Sequence, residues 1–444
     1  MYVKTGKGKS LPDSSVRSRP VVAGILSLVS ICVLSTLAHG DHVEKGQVTL
    51  EAMSVCEGLY RGRQVPSDVL QEMLADHALW LQSHEAQAGK PANFCGADLS
   101  GVDFREHDLS GANFQGANLS RADFTGAILI HANFQKADLS EASLYSTTLR
   151  GGQMAGAKLR LANLRKADLG QVNLAAADLR EANLGEADIR MGVLRGADLE
   201  EAYLVRADLE MANLEEAYVV RADVRQANLY RALLRNAKFT ESDLNHSNLQ
   251  EADASGSDLS GADLGEANLV EVKLAGASLR EATLVRTVLY QADLSQSNCA
   301  GASFQDADLL GANFQGANLA RVEMDEAYLA KANLRGANLE AADLSWANLV
   351  EADLSAGDLE FAVLFRTNLQ EAKLDNAGFY GADLRGTNLE GASLRHARLQ
   401  GVALRYTHGL TQEQLNAACL DVRTRLPEGL QLPPPCENEK SGER

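Results

Sequence analysis

Aromatic side chains make up only 5% of this 444-residue chain, and it contains just 8 prolines. A conventional core of that size normally draws on more large rings than this to fill it. Two or three ordinary globular domains, which the length alone would hold, are therefore disfavoured. Positive charge is also scarce: 42 Lys and Arg stand against 60 Asp and Glu, a net charge of −18. Such a surface repels phosphates, so direct nucleic-acid binding by a basic patch is not expected. No nucleophile elbow, zinc motif or dinucleotide fingerprint occurs, and neither enzymatic activity nor a cofactor or metal is expected. What the chain has in quantity is small and aliphatic side chains, mostly Ala and Leu, within a 45% hydrophobic content. That points to a thin core repeated many times.

The first forty residues stand apart. Lys4, Lys7, Lys9, Arg17 and Arg19 outweigh Asp13, and their removal would leave the remainder at −22. They precede the apolar run Val21–Ala38 and the small-residue site Ala38-His39-Gly40. This is the order of a secretory signal. The alternative reading is an uncleaved inner-membrane anchor, since the 18 residues of that run can just span a bilayer. Gly6-Lys7-Gly8-Lys9-Ser10 echoes a phosphate loop but lacks its earlier Gly, and reads as the basic leader. Of six cysteines, Cys32 lies in this segment. Cys56 and Cys95 bracket the following region, and Cys419 and Cys436 bracket the C-terminal one. In an oxidising compartment the pairs Cys56–Cys95 and Cys419–Cys436 would each pin one end, one of three connectivities for four cysteines.

From Phe94 to Leu404 every fifth residue is apolar, 63 consecutive positions without an insertion or deletion, and 56 of them are Leu or Phe. The exceptions are Met154, Ile189, Val219, Val224, Ala254, Cys299 and Met324. Two residues earlier runs a second column with 46 Ala, in which His107 is the one bulky intruder. Between the columns lies Asp or Asn in 40 of 63 units, giving Ala-(Asp/Asn)-Leu-x-x. A period of five matches neither a helix nor a strand. A chain that turns a corner every five residues would bury both columns, and short Asp or Asn side chains suit the turns by bonding nearby backbone.

The units Ala-Asp-Leu-Ser-Gly, Ala-Asn-Phe-Gln-Gly and Ala-Asn-Leu-Arg-Gly resemble the signature of the pentapeptide-repeat family over residues 92–406, about 70% of the chain. The resemblance implies an all-β solenoid: a right-handed quadrilateral β-helix with four units and twenty residues per coil. Nearly sixteen coils at about 4.8 Å would make a rod of about 75 Å. Open ends expose core and unpaired backbone, so short helical caps are expected at both. Ser67–Gln82 reads as an amphipathic helix with Ser67 as N-cap. Thr411-Gln412-Glu413-Gln414 has capping-box spacing. The organisation is then 1–40 signal peptide or anchor, 41–91 N-terminal segment with its helix, 92–406 repeats, and 407–444 helical cap with a Pro-rich tail.

Residues twenty apart should stack. Arg195, Glu215 and Arg235 form one alternating-charge ladder, and Glu201, Arg221 and Glu241 another. Val270, Tyr290, Leu310, Ala330 and Val350 form an apolar stripe, with Val288 and Tyr328 beside it. The stripe reads either as a contact surface or as outward residues stacking on one another. His77 and His84, seven apart on the helix, read as solvated rather than metal-binding. Cys299 reads as a buried, inert thiol.

Taken together these features give an exported, non-enzymatic scaffold or protein-interaction rod of the bacterial cell envelope, periplasmic or extracellular. Its partner would be a protein or a second copy of the chain, and it would meet a membrane only if residues 21–38 remain as an anchor. Two alternatives stay open. One is an acidic, DNA-mimicking protein that binds a type II topoisomerase (gyrase) in the cytosol, as a branch of the family does; the other is a secreted effector.

Overall fold

A computed structural model describes residues 56, 58–83 and 88–434. The expectations for residues 1–40, for His84 and for the pairing of Cys419 with Cys436 lie outside them. From Asn93 to Gly378 the central residue of every repeat pairs in parallel with the residue twenty positions on, as Asn118 does with Asp98 and Asp138. Four repeats therefore close one circuit, and each circuit lies on the last. No strand longer than a single bridging residue occurs among the described residues. Only three residues separate successive turns, too few for an extended ladder.

The hydrogen bonds explain why the repeat reads as it does. In residues 117–121, Ala117 N–H closes the turn onto Phe114 O at 3.0 Å, and Asn118 N–H reaches back to Ala97 O at 2.9 Å. Leu119 and Arg121 donate forward to Asp138 O and Ser140 O at 2.6 and 2.9 Å. One N–H is left, that of Ser120, and Asn118 Oδ1 accepts it at 3.2 Å. All five backbone donors are thus used. The central column favours Asp and Asn because a short carbonyl-bearing side chain can reach the N–H two residues ahead. Asn has a second use: its amide donates to the coil below, as Asn133 does to Asn113 Oδ1 at 3.2 Å and Asn333 to Asn313 at 2.9 Å. Asp and Asn therefore sit at the face centres, just ahead of the turns rather than within them.

The turns use the two remaining positions. Every fifth residue from Gly96 to Gly401 has positive φ, between +52 and +77°. It occupies the third place of a four-residue turn, where a type II turn requires φ > 0. Gly suits this place, but most of its occupants are Glu, Arg, Gln, Lys and other L-residues.

Inward columns are buried almost without exception, the Leu and Phe column at 0–2% exposure. Hydroxyls in the Ala column are mostly satisfied by carbonyls of the Leu column. Thr367 Oγ1 donates to Leu344 O at 2.7 Å, and Thr147 Oγ1 to Phe124 O at 2.9 Å. Ser257 Oγ is buried without a partner. Thr367→Val is expected to lose about 1 kcal/mol, while Ser257→Ala should be neutral or stabilising; chemical denaturation of the two variants side by side checks both.

Helix α1 spans Ser67–Gln82, but its N-cap is Pro66 and no side chain caps it, so Ser67 is the first helical residue. Leu70 and Leu74 join the core of the coils, with Tyr60, Val65 and Met73 packed beside them. The segment before the helix also lies on the first circuit, through bridges Arg61↔Ala97 and Gln64↔Asp98. Cys56 and Cys95 are joined as a disulfide with Cα atoms 5.6 Å apart. The approach there is so close that a Cβ on Gly58 would stand 2.0 Å from Cys95 O.

His77 is fully buried on α1 rather than solvated. Its Nδ1 accepts from Ala92 N–H at 3.0 Å, its ring stacks on Trp80, and Nε2 has no partner. Burial pushes its pKa below the ordinary 6.5, against the pull of Asp108. A depressed pKa means that the unfolded state binds the proton first. The stabilisation from His77 is therefore complete above pH 6.5 and fades as pH falls toward the folded value. Hydrogen exchange of residues 67–92 should speed up on acidification below pH 6.5, and His77→Gln, which keeps an acceptor but does not titrate, should flatten that response.

At the far end the circuit continues past the last repeat. Bridges Arg398↔Cys419 and Ala403↔Arg425 lengthen the step beyond twenty residues as the chain accommodates helix α2, Gln412–Ala417. Thr411 and Gln414 form the capping box. Gln414 Nε2 also donates to Leu389 O and Ala392 O at 2.8 and 2.9 Å, tying the helix to the final coils. Cys419 is itself disulfide-bonded.

Candidate interaction faces

With the backbone and the inward columns committed to stacking, any recognition falls to the outward positions. The ladder expected from Arg195 through Glu215 to Arg235 is only half formed. Arg235 Nε bonds Glu215 at 2.7 Å, but Arg195 turns diagonally to Glu216 at 2.8 Å. Arg221 bonds both Glu201 and Glu200 and leaves Glu241 aside. These links are exposed, and each is worth little.

A tighter arrangement is local. Arg two residues after an Asp folds back as a fork, with Nε on Oδ1 and Nη2 on Oδ2, in Asp103–Arg105, Asp178–Arg180, Asp188–Arg190 and Asp223–Arg225. Hydrogen bonding from Arg105 holds the Asp103 carboxyl down at about 2. The signal for it, Asp, one core residue (Phe, Leu, Ile or Val) and Arg, is in the sequence, though column stacking alone does not draw it out.

The apolar stripe lies at the second position of successive turns. Tyr290 is exposed, Val270, Leu310 and Val350 are half-buried, and Ala330 is buried. Beside it Val288 and Tyr328 are exposed but separated by Asp308, which bridges to both. The stripe is thus continuous along the turn column and interrupted on the neighbouring face.

His107 is exposed in the first circuit, with Nδ1 near Arg105 O at 2.9 Å. Cys299 is buried in the core and its thiol is pushed up to about 12 by desolvation, which removes it from nucleophilic chemistry. An open polar notch forms where Gly185 leaves room beside Tyr203, lined further by Glu186, Arg206, Arg225 and His246. Among the described residues no group of His, Cys, Asp or Glu is placed to hold a metal, and no helix is long and apolar enough to cross a membrane.

Further apolar side chains cluster near the C-terminal end, where sequence reading had not singled them out. Trp346, Phe361 and Tyr380 are each about half exposed, at 51, 52 and 52%. Trp346 meets Phe365 edge-on at 5.8 Å, and Phe361 meets Tyr380 at 5.6 Å. The signal was the run Phe361-Ala362-Val363-Leu364-Phe365, whose central and turn positions are all apolar.

A coil of four five-residue units, closed by parallel bridges and left-handed turns, defines a repeat protein whose surfaces are its outward columns. The model of pentapeptide repeats matches segments running from residue 92 to residue 401, and the chain belongs to the pentapeptide repeat family. No curated protein matches it. Among solved structures, HetL, a pentapeptide repeat protein involved in heterocyst differentiation regulation in the cyanobacterium Nostoc sp. strain PCC 7120, is 33% identical. That alignment covers 60% of this chain and 89% of HetL, with a TM-score of 0.15. A trypsin-treated variant of QnrB1, a plasmid-mediated fluoroquinolone resistance protein, is 20% identical over 48% of this chain and 90% of its own, with a TM-score of 0.30. A pentapeptide repeat protein of the Arabidopsis thaliana thylakoid lumen is 31% identical over 23% of this chain and 65% of its own, with a TM-score of 0.15.

Proposed function

We propose that this chain is a non-enzymatic, exported interaction rod, a right-handed quadrilateral β-helix that presents long charged faces to a protein partner in the cell envelope. The observation that supports it most is the full commitment of backbone donors and inward side chains to stacking, which leaves only outward columns to meet a partner. The cationic leader, the apolar run Val21–Ala38 and the small-residue site after it support export. Fractionation with N-terminal sequencing tests this reading: a mature product beginning near Gly40 in the exported fraction is expected, and a full-length cytosolic product overturns it.

The net charge of −18 favours a second reading, a cytosolic mimic of duplex DNA that binds a type II topoisomerase. Inhibition of gyrase supercoiling by the purified protein would support that reading, and unchanged supercoiling would exclude it.

A further inference from the structure

One corner of the coil departs from the acidic character of the chain. Residues at twenty-residue spacing stack there as Ser345, Phe365, Arg385 and Arg405, with Trp346, Arg366, Gly386 and Tyr406 beside them. The Arg366 guanidinium lies 4.5 Å from the Trp346 ring centre and 5.4 Å from that of Phe365. Arg385 lies 5.7 Å from Phe365, and Arg405 5.7 Å from Tyr406, which is 58% exposed. Arg385 is forked onto Asp383. Arg366 and Arg405 make no ion pair among the described residues, where most Arg side chains of this chain find a carboxylate.

The same corner, followed toward the N-terminus, changes sign. The two circuits before Trp346 carry Asp306, then Asp325 and Glu326, none of them in an ion pair among the described residues. The Asp325 carboxylate accepts only from the neutral Gln305, at 2.9 Å. Along six successive circuits the corner therefore reads acid, acid, aromatic, aromatic with Arg, base, base.

A surface of that order is complementary to itself when turned end for end, which is what a twofold contact requires. We propose that this corner pairs two copies of the chain antiparallel, about an axis between the Trp346 and Arg366 circuits. Trp346 of each copy then meets the Phe365–Arg366 circuit of the other. Asp325 and Glu326 face Arg385, and Asp306 faces Arg405. Both blocks take their spacing from the same coil rise, about 4.8 Å, so the opposite charges stay in step over the whole contact. A polyanion is a poorer occupant, because the acidic block lies in line with the bases and would repel it. The exposed rings supply the dry centre such a contact needs, and the charges set its direction.

The test is a charge exchange on the full chain, followed by sedimentation. One variant carries Asp306→Arg, Asp325→Arg and Glu326→Arg; the other carries Arg385→Glu and Arg405→Glu. Asp306 and Glu326 are left-handed turn residues in a column where Arg already recurs, and Asp325, Arg385 and Arg405 lie in the neighbouring turn column where Arg and Glu both occur. Circular dichroism should therefore show both variants folded. Wild type should sediment as a dimer at about 20 mM salt and dissociate toward about 0.5 M. Each variant alone should lose about 100-fold or more in dimer affinity, since like charges then face each other. Mixed in equal amounts the two should pair again, because every reversed block then meets its complement. A wild type that stays monomeric at low salt, variants that dimerise as wild type does, or a mixture that fails to pair would each overturn the proposal. A monomeric wild type would leave the corner to a different protein. The salt response of wild type tests the pairing independently of how the variants fold.

Discussion

Phe114→Ala should destabilise the N-terminal coils by about 3–5 kcal/mol, the range for removing a fully buried ring. Phe114 lies at the centre of a five-ring core. It stacks on Phe94 and Phe134 at 5.1 and 4.7 Å and meets Phe104 and Phe124 edge-on at 5.8 Å each. Backbone bonds to the coils above and below hold the walls of the site, so the cavity cannot collapse cheaply. Because each circuit contacts only its neighbours, the loss should remain local. Hydrogen exchange should show residues 92–134 losing protection while coils beyond residue 250 keep theirs. Phe114→Leu, which installs the commoner residue of that column, should cost much less, under about 1.5 kcal/mol. Uniform deprotection along the whole chain would contradict this local picture.

The second large effect is expected at the turns. Glu281 has φ of +56° and donates its N–H to Ala300 O at 3.1 Å. Proline fixes φ near −65° and has no N–H, so Glu281→Pro reverses the turn and removes a bond between circuits. A loss of about 3 kcal/mol or more is expected. Glu281→Gly should remain within about 1 kcal/mol of wild type: relief of the left-handed cost and the greater freedom of the unfolded glycine oppose each other. Thermal unfolding of the two variants together separates backbone geometry from loss of the side chain, which they share.

Much of this architecture was legible in the sequence because the period is strict. The two inward columns and the extent of α1 follow from spacing and from which residues fit a buried position, and the twenty-residue stacking follows from the resemblance to the pentapeptide-repeat family. The turn was less legible, since both of its outward positions are polar and look interchangeable. They differ in one respect that polarity does not report. Thr125, Val205, Val220, Val270 and Val350 all occupy the second place of the four-residue turn, and no Val, Ile or Thr occupies the third, left-handed place between Gly96 and Gly401. Branching at Cβ is what a left-handed residue cannot accommodate, so the absence of these residues marked the column.

Other departures have equally local causes. His77 looked like a surface residue because its spacing from His84 suggested a shared outer face, yet its ring is needed to accept the N–H of Ala92 as the first circuit begins. The coil outlasts the repeat at the C-terminal end because Arg425 and Cys419 supply backbone partners without supplying the motif. Among the charged columns, Arg195 turns to a diagonal neighbour instead of the one directly above, and Arg221 adds the diagonal Glu200 to Glu201 of its own column. Long side chains reach two circuits' worth of carboxylates, and stacking order alone does not decide between them.

The unbroken step of twenty residues between Asn93 and Gly378 has a consequence for how such a chain can change size. A circuit removed or added whole returns every column to its own kind, so length varies in graduations of about 4.8 Å with both end pieces unaltered. Anything held at the two ends would be spaced as by a ruler whose divisions are written in the gene, one duplication for each mark.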